Sequence, residues 1–162
     1  MTMFLTVFSG VLTFVLGQLV LKLVIEPVHE FKKAIADVAL TIIEYANVYS
    51  NPGVTGVETE KKVSEQLRKL ASRINAQTYL IPMYGITSRL FGLPSRQKVL
   101  AAASNLIGLS NGVFKSASDL VWTNLERADK IRITLGIYVP ENERISHLKS
   151  QPNNPDGADT QD

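Results

Sequence analysis

Residues 3–25 read MFLTVFSGVLTFVLGQLVLKLVI, and the one charge among these twenty-three side chains is Lys22. At about 1.5 Å per residue the run is about 34 Å long as a helix. A hydrocarbon core about 30 Å thick is spanned by that length with modest tilt. A cleaved secretory signal needs a basic start and a small-residue cleavage site. Here no Lys or Arg precedes Lys22, and the apolar run is followed by Glu26-Pro27-Val28-His29. The expectation is therefore a retained single transmembrane helix.

Flanking charge sets its expected direction. Lys22, Lys32 and Lys33 all lie on the C-terminal side. The positive-inside rule places the N-terminus outside and the rest in the cytoplasm, as in a bacterial inner (plasma) membrane. Lys22 sits where its alkyl stem can carry the ammonium to the headgroups.

One face of the apolar run is small. Thr6, Gly10, Thr13 and Gly17 recur at spacings of four, three and four, with Gln18 beside them. Small side chains let a second membrane helix approach closely, and an amide in hydrocarbon gains from an interhelical partner. The plainer alternative is that Gly and Thr are common in membrane helices.

Beyond the run the pattern is helical throughout. Pro27 is expected to kink the chain, because it lacks an N–H. Phe31, Ile35, Val38, Ile42, Tyr45 and Tyr49 recur every three or four residues, opposite Lys33, Asp37 and Glu44. The two helices are expected to form one rod to about Tyr49. Ser50-Asn51-Pro52-Gly53 is a turn, and Thr55 with Glu58 has capping-box spacing. Val63, Leu67, Leu70, Ile74 and Ile81 mark the next apolar face before Pro82. A short piece runs from Met83 to Phe91. Ser95 then caps a helix whose buried stripe is read as Val99, Leu100, Ala103, Leu106 and Ile107. Asn111-Gly112 stops it. The last helix starts near Ser116 or Ser118, turns in Val121, Leu125, Ala128, Ile131 and Leu135, and stops at Gly136.

These readings give an all-α class: an N-terminal transmembrane helix (1–27), a small cytoplasmic helical bundle (28–138) and a disordered C-terminal tail (139–162). The tail carries Pro152, Asn153, Asn154, Pro155, Asp156 and Gly157 and lacks apolar density.

Chemistry-bearing residues are sparse. No cysteine is present, which removes thiol nucleophiles, disulfides and thiolate metal sites. The two histidines, His29 and His147, are far apart. No metal site, cofactor site or catalytic residue is expected. There is no P-loop, G-x-G-x-x-G, G-x-S-x-G or H-E-x-x-H. Helical RNases of the HEPN class place four to six residues between an Arg and a His, and Arg144 with His147 departs from that spacing. Glu126 and Asp129 lie three apart, and alternating charge on an exposed helix explains them better than acid–base work. Trp122, the single tryptophan, reads as a packing residue.

Charge supplies one further candidate. Lys61, Lys62, Arg68, Lys69, Arg73, Arg89, Arg96 and Lys98 outnumber Glu58, Glu60 and Glu65 between Val57 and Lys98. Such a surface suits anionic headgroups, or is a solvated face. The whole-chain net charge of +2 does not favour nucleic acid, and only Tyr79 and Tyr84 could stack on bases.

Gly17-Gln18 with Lys22, Ile25-Glu26-Pro27, Tyr45-Ala46-Asn47 with Asn51-Pro52, and Leu106-Ile107-Gly108-Leu109-Ser110-Asn111 resemble segments of uncharacterised bacterial membrane-anchored helical proteins. The resemblance covers roughly residues 10–137, implies a folded bacterial domain, and transfers no catalytic residue. In layout the chain is also similar to phage-defence accessory proteins that pair one membrane helix with a small helical domain and assemble into pores.

The sequence thus points to a non-enzymatic membrane-anchored module with the lipid bilayer, a second copy of itself or a protein partner as its contacts. An oligomeric pore with Gln18 facing its lumen is the alternative. A divergent RNA-binding protein or nuclease has the least support.

Overall fold

The computed structural model describes residues 2–114 and 118–140. Residues 141–162 of the C-terminal tail and the Arg144–His147 pair lie outside the described residues, while Val139, read as the first residue of the tail, is buried. The class is all-α, and no strand occurs among the described residues.

Helix α1 (Thr2–Val20) passes through a π turn (Leu21–Ile25) into α2 (Glu26–Glu44) without a break, a run of 43 residues. The π turn has a local cause. Pro27 has no N–H to offer the Leu23 carbonyl four residues back. The ladder widens there instead, and the Glu26 N–H donates to the Leu21 carbonyl. Tyr45, at φ −101° and ψ 18°, interrupts the rod one turn before its expected end. A short α3 (Ala46–Ser50) follows.

Helix α4 (Val57–Leu80) begins one residue later than the capping-box reading required. Gly56 is its N-cap, at φ +94°, and the Thr55 hydroxyl has no hydrogen-bond partner. The left-handed backbone suited to glycine sets the entry here, in place of a side-chain cap. Helix α5 (Tyr84–Phe91) follows a tight turn in which Met83 takes φ +48°. Helix α6 (Arg96–Gly112) is capped as expected, with the Ser95 hydroxyl accepting from the Lys98 N–H at 3.4 Å. Helix α7 (Ser118–Leu135) ends at Gly136, φ +74°, where the Ile137 N–H returns to the Arg132 carbonyl. That is the Schellman closure that leaves glycine one residue past a helix.

Polar contacts fix the helix directions. Arg68 meets Asn111 and Arg96 meets the Thr78 carbonyl, so α4 and α6 are antiparallel. Arg127 meets the Gly108 carbonyl and Asn124 the Gly112 carbonyl, so α6 and α7 are antiparallel. Arg73 meets Asp37, and the ring of Tyr84, which follows α4 in the chain, meets Phe31 nearer the start of α2, so α2 and α4 are antiparallel as well. One core joins Phe31, Val38 and Ile42 to Val63, Leu67, Ile74, Val99, Leu106, Leu109 and Ile131.

Two stripe assignments need correction. Leu100 and Ile107 are exposed. The inward arc of α6 runs through Val99, Ala102, Ala103, Leu106, Leu109 and Ser110. Leu100 and Ile107, seven apart, share a flank just outside that arc, at about 100° per residue. Asp37, expected on the solvent face of α2, is partly buried at its edge and paired with Arg73.

Candidate functional site: the apolar helix and the basic residues

All of α1 is exposed. From Thr2 to Val20 no side chain is buried, and the large apolar ones, among them Phe4, Phe14, Leu16 and Leu19, are exposed. Among the described residues nothing covers this surface. It is one helix long and apolar enough to cross a membrane.

The small stripe is intact on it. Thr6 Oγ1 donates to the Thr2 carbonyl at 3.0 Å, and Thr13 Oγ1 donates to the Ser9 carbonyl at 2.9 Å. Both hydroxyls are thus satisfied inside their own helix, which removes their cost in hydrocarbon. A methyl group at Gly10 or Gly17 would meet nothing within 4 Å, so neither glycine is required by the fold. Gln18 is exposed and has no partner among the described residues.

The eight basic residues do not form one patch. Lys62 and Thr78, the residue Arg96 reaches, are sixteen positions apart on α4, or about 24 Å. Lys61 and Lys62 occupy the end of the bundle far from α1, and Arg89, Arg96 and Lys98 the near end. Three of the set are engaged internally. Arg73 Nη1 lies 2.6 Å from Asp37 and Nη2 3.9 Å from Glu30. Arg68 donates to Asn111 Oδ1 at 2.5 Å. Arg96 donates to the Thr78 carbonyl at 3.3 Å and lies over the rings of Tyr79 and Tyr84, 5.5 and 5.3 Å from their centroids. Lys61, Lys62, Lys69, Arg89 and Lys98 remain exposed.

The two buried tyrosines are structural. Burial pushes the Tyr49 phenol above its ordinary range, with Arg132 opposing the shift. Burial does the same at Tyr84, opposed by Arg96. Tyr49 donates to the Ile42 carbonyl at 3.1 Å and Tyr84 to the Pro94 carbonyl at 2.7 Å. Glu126 and Asp129 are both partly buried, and no group of three or more acidic or histidine residues could hold a metal among the described residues.

Asn124 was invisible in the sequence and is central in the fold. Fully buried, it donates from Nδ2 to the Tyr49 carbonyl at 3.1 Å and to the Gly112 carbonyl at 3.2 Å. Those carbonyls belong to the ends of α3 and α6, where a helix leaves acceptors without intrahelical donors. One amide thereby ties three helices together at the end far from α1. A Cβ on Gly112 would come within 2.9 Å of Asn124 Cγ, so glycine is required for that approach.

No protein-family model, curated protein or solved structure matches the chain.

Proposed function

We propose that the protein is a non-enzymatic, membrane-anchored helical module that associates with itself through α1 and holds its bundle at the bacterial inner membrane. The observation that carries this reading is the wholly uncovered apolar α1, continuous with α2, whose other face is built into the core. Water does not tolerate such a surface, and lipid does. Lys22, Lys32 and Lys33 at one end support an inward-facing bundle.

Self-association draws its support from the Thr6, Gly10, Thr13 and Gly17 stripe. The fold does not need either glycine, and Gln18 lacks a partner among the described residues. A second copy would supply both the close packing and an amide partner.

The test is the oligomeric mass of the full chain in lipid nanodiscs, with Gly10→Leu/Gly17→Leu as the comparison. A dimer or small oligomer that dissociates in the double variant supports the reading. Unchanged mass in the variant removes the stripe from it. A ring-sized assembly would redirect it to a pore, with Gln18 as the first residue to test by conductance.

A further inference from the structure

We infer that α5 and the turn before it form a second membrane contact, an apolar foot resting in the interface of an anionic bilayer beside the point where α1 emerges. The inference rests on the reading of α1 as the membrane anchor. Its starting point is a group of apolar side chains, close together along the chain, that the fold leaves bare. Leu80, Met83, Ile86 and Leu90 are 68, 73, 62 and 76% exposed. Single exposed apolar residues mean little, whereas a cluster marks an interaction surface.

The geometry of α5 makes the cluster a rigid face. Its inward arc is Tyr84, Thr87 and Ser88. Tyr84 packs edge-on against Phe31 at 6.1 Å and donates to the Pro94 carbonyl. Thr87 Oγ1 donates to the Pro82 carbonyl at 2.8 Å and fixes the turn. Ile86, Arg89 and Leu90 are left on the outward side, with Met83 ahead of them.

Position identifies the occupant. Phe31 lies six residues beyond Ile25, the end of the apolar run, which is about 9 Å along the helix. The polar zone of one leaflet extends about 5–8 Å from the hydrocarbon edge. Interfacial helices sink their apolar face about 5–10 Å into that boundary. The Phe31–Tyr84 contact therefore sets α5 at the outer edge of that zone, within a side chain's reach of it.

Charge agrees. No Asp or Glu occurs between Glu65 and Asp119. Arg89 shares the outward face of α5, and Arg96 and Lys98 stand at the start of α6. Glu26 and Glu30 are the acidic residues at this level, and Glu30 already faces Arg73. Lys22, Lys32 and Lys33 add to the positive side. Basic residues close to an anionic leaflet are attracted to it individually.

The chain has no native cysteine, so single spin labels report cleanly. Leu12→Cys, Ile86→Cys and Lys61→Cys of the full chain would be labelled in phosphatidylcholine vesicles containing phosphatidylglycerol. Relaxation by dissolved oxygen and by a water-soluble nickel chelate gives the depth of each label. Ile86 is expected to follow Leu12, oxygen-rich and several-fold less open to nickel than Lys61. If Ile86 matches Lys61 while Leu12 reports lipid, the foot is overturned and the anchor stands. If Ile86 is shielded from both reagents, protein covers the face and the lipid contact is overturned. A nickel-exposed Leu12 overturns the anchor itself and the foot with it.

Discussion

Replacing Asn124 with alanine should cost the bundle about 2–4 kcal/mol. The side-chain amide makes two buried bonds, to the Tyr49 and Gly112 carbonyls. A buried acceptor left without a donor costs about 1–3 kcal/mol. Two such acceptors, less some relief by water entering the vacated space, give that range. It is a large share of the roughly 5–15 kcal/mol that holds a domain folded. The midpoint of thermal unfolding should fall by about 10 °C or more, since about 1 kcal/mol moves a domain of this size by about 4–8 °C. Trp122, half-exposed on α7 two residues before Asn124, is the single tryptophan and serves as the probe. Its fluorescence in detergent micelles follows the bundle and not α1. Asn124→Leu separates the hydrogen bonds from the volume: it fills the space and supplies no donor, so it too should be destabilised. A leucine variant as stable as the parent would refute the reasoning, because the carbonyls would then have managed without the amide.

Three further variants can be checked with the same fluorescence assay. Gly112→Ala should destabilise by about 1–3 kcal/mol, because the new methyl group must displace the Asn124 side chain or the helix end. Tyr49 has its folded pKa raised by burial, so the unfolded phenol ionises first as pH climbs. Its contribution is complete below about pH 10, the unfolded value, and is lost as pH rises through the higher folded value. Tyr49→Phe should flatten part of that alkaline loss, with Tyr84 leaving a remainder, and cost about 1 kcal/mol at neutral pH through the bond to Ile42. Arg73→Met should cost less than about 1 kcal/mol and lose its effect in high salt, since the pair with Asp37 is over a third exposed.

Much of the fold is legible in the sequence because helical periodicity reports burial directly. Val63, Leu67, Leu70, Ile74 and Ile81 were expected inside and are buried. Ser95 and Gly136 act by local chemistry and perform as that chemistry dictates. The failures have a common origin in tertiary context. Thr55 had capping-box spacing with Glu58, yet Gly56 could take a backbone that threonine resists, and the helix entry moved by one residue. Leu100 and Ile107 are apolar and adjacent to the stripe, but the inward arc of α6 is narrower than the apolar one. Asn124 left no signal, since a buried amide and a solvated one look alike until their neighbours are known. The basic residues were close in sequence but are spread over α4, α5 and the start of α6, so only some of them lie at the end near α1.

The π turn links these local features to the proposed assembly. Because α1 and α2 are one uninterrupted helix, the azimuth of the Gly10 and Gly17 stripe is fixed relative to the core face of α2. A flexible linker would let the bundles adopt any orientation once the membrane helices paired. Here pairing through the stripe would also decide which face of each bundle meets the next. The insertion of one residue into the helical turn before Pro27 sets that relation, at about 100° per residue. Pro27→Ala restores an N–H to the Leu23 carbonyl and removes the reason for the wider turn. If the turn then closes to an α-helix, the stripe should rotate against the bundle while the membrane association itself survives. Disulfide mapping would show it: cross-linking yield at position 10 in the Gly10→Cys protein should stay unchanged, and yields from cysteines scanned along α2 should move to a different face. An unchanged α2 pattern would mean that the bundle takes its orientation from contacts outside the rod.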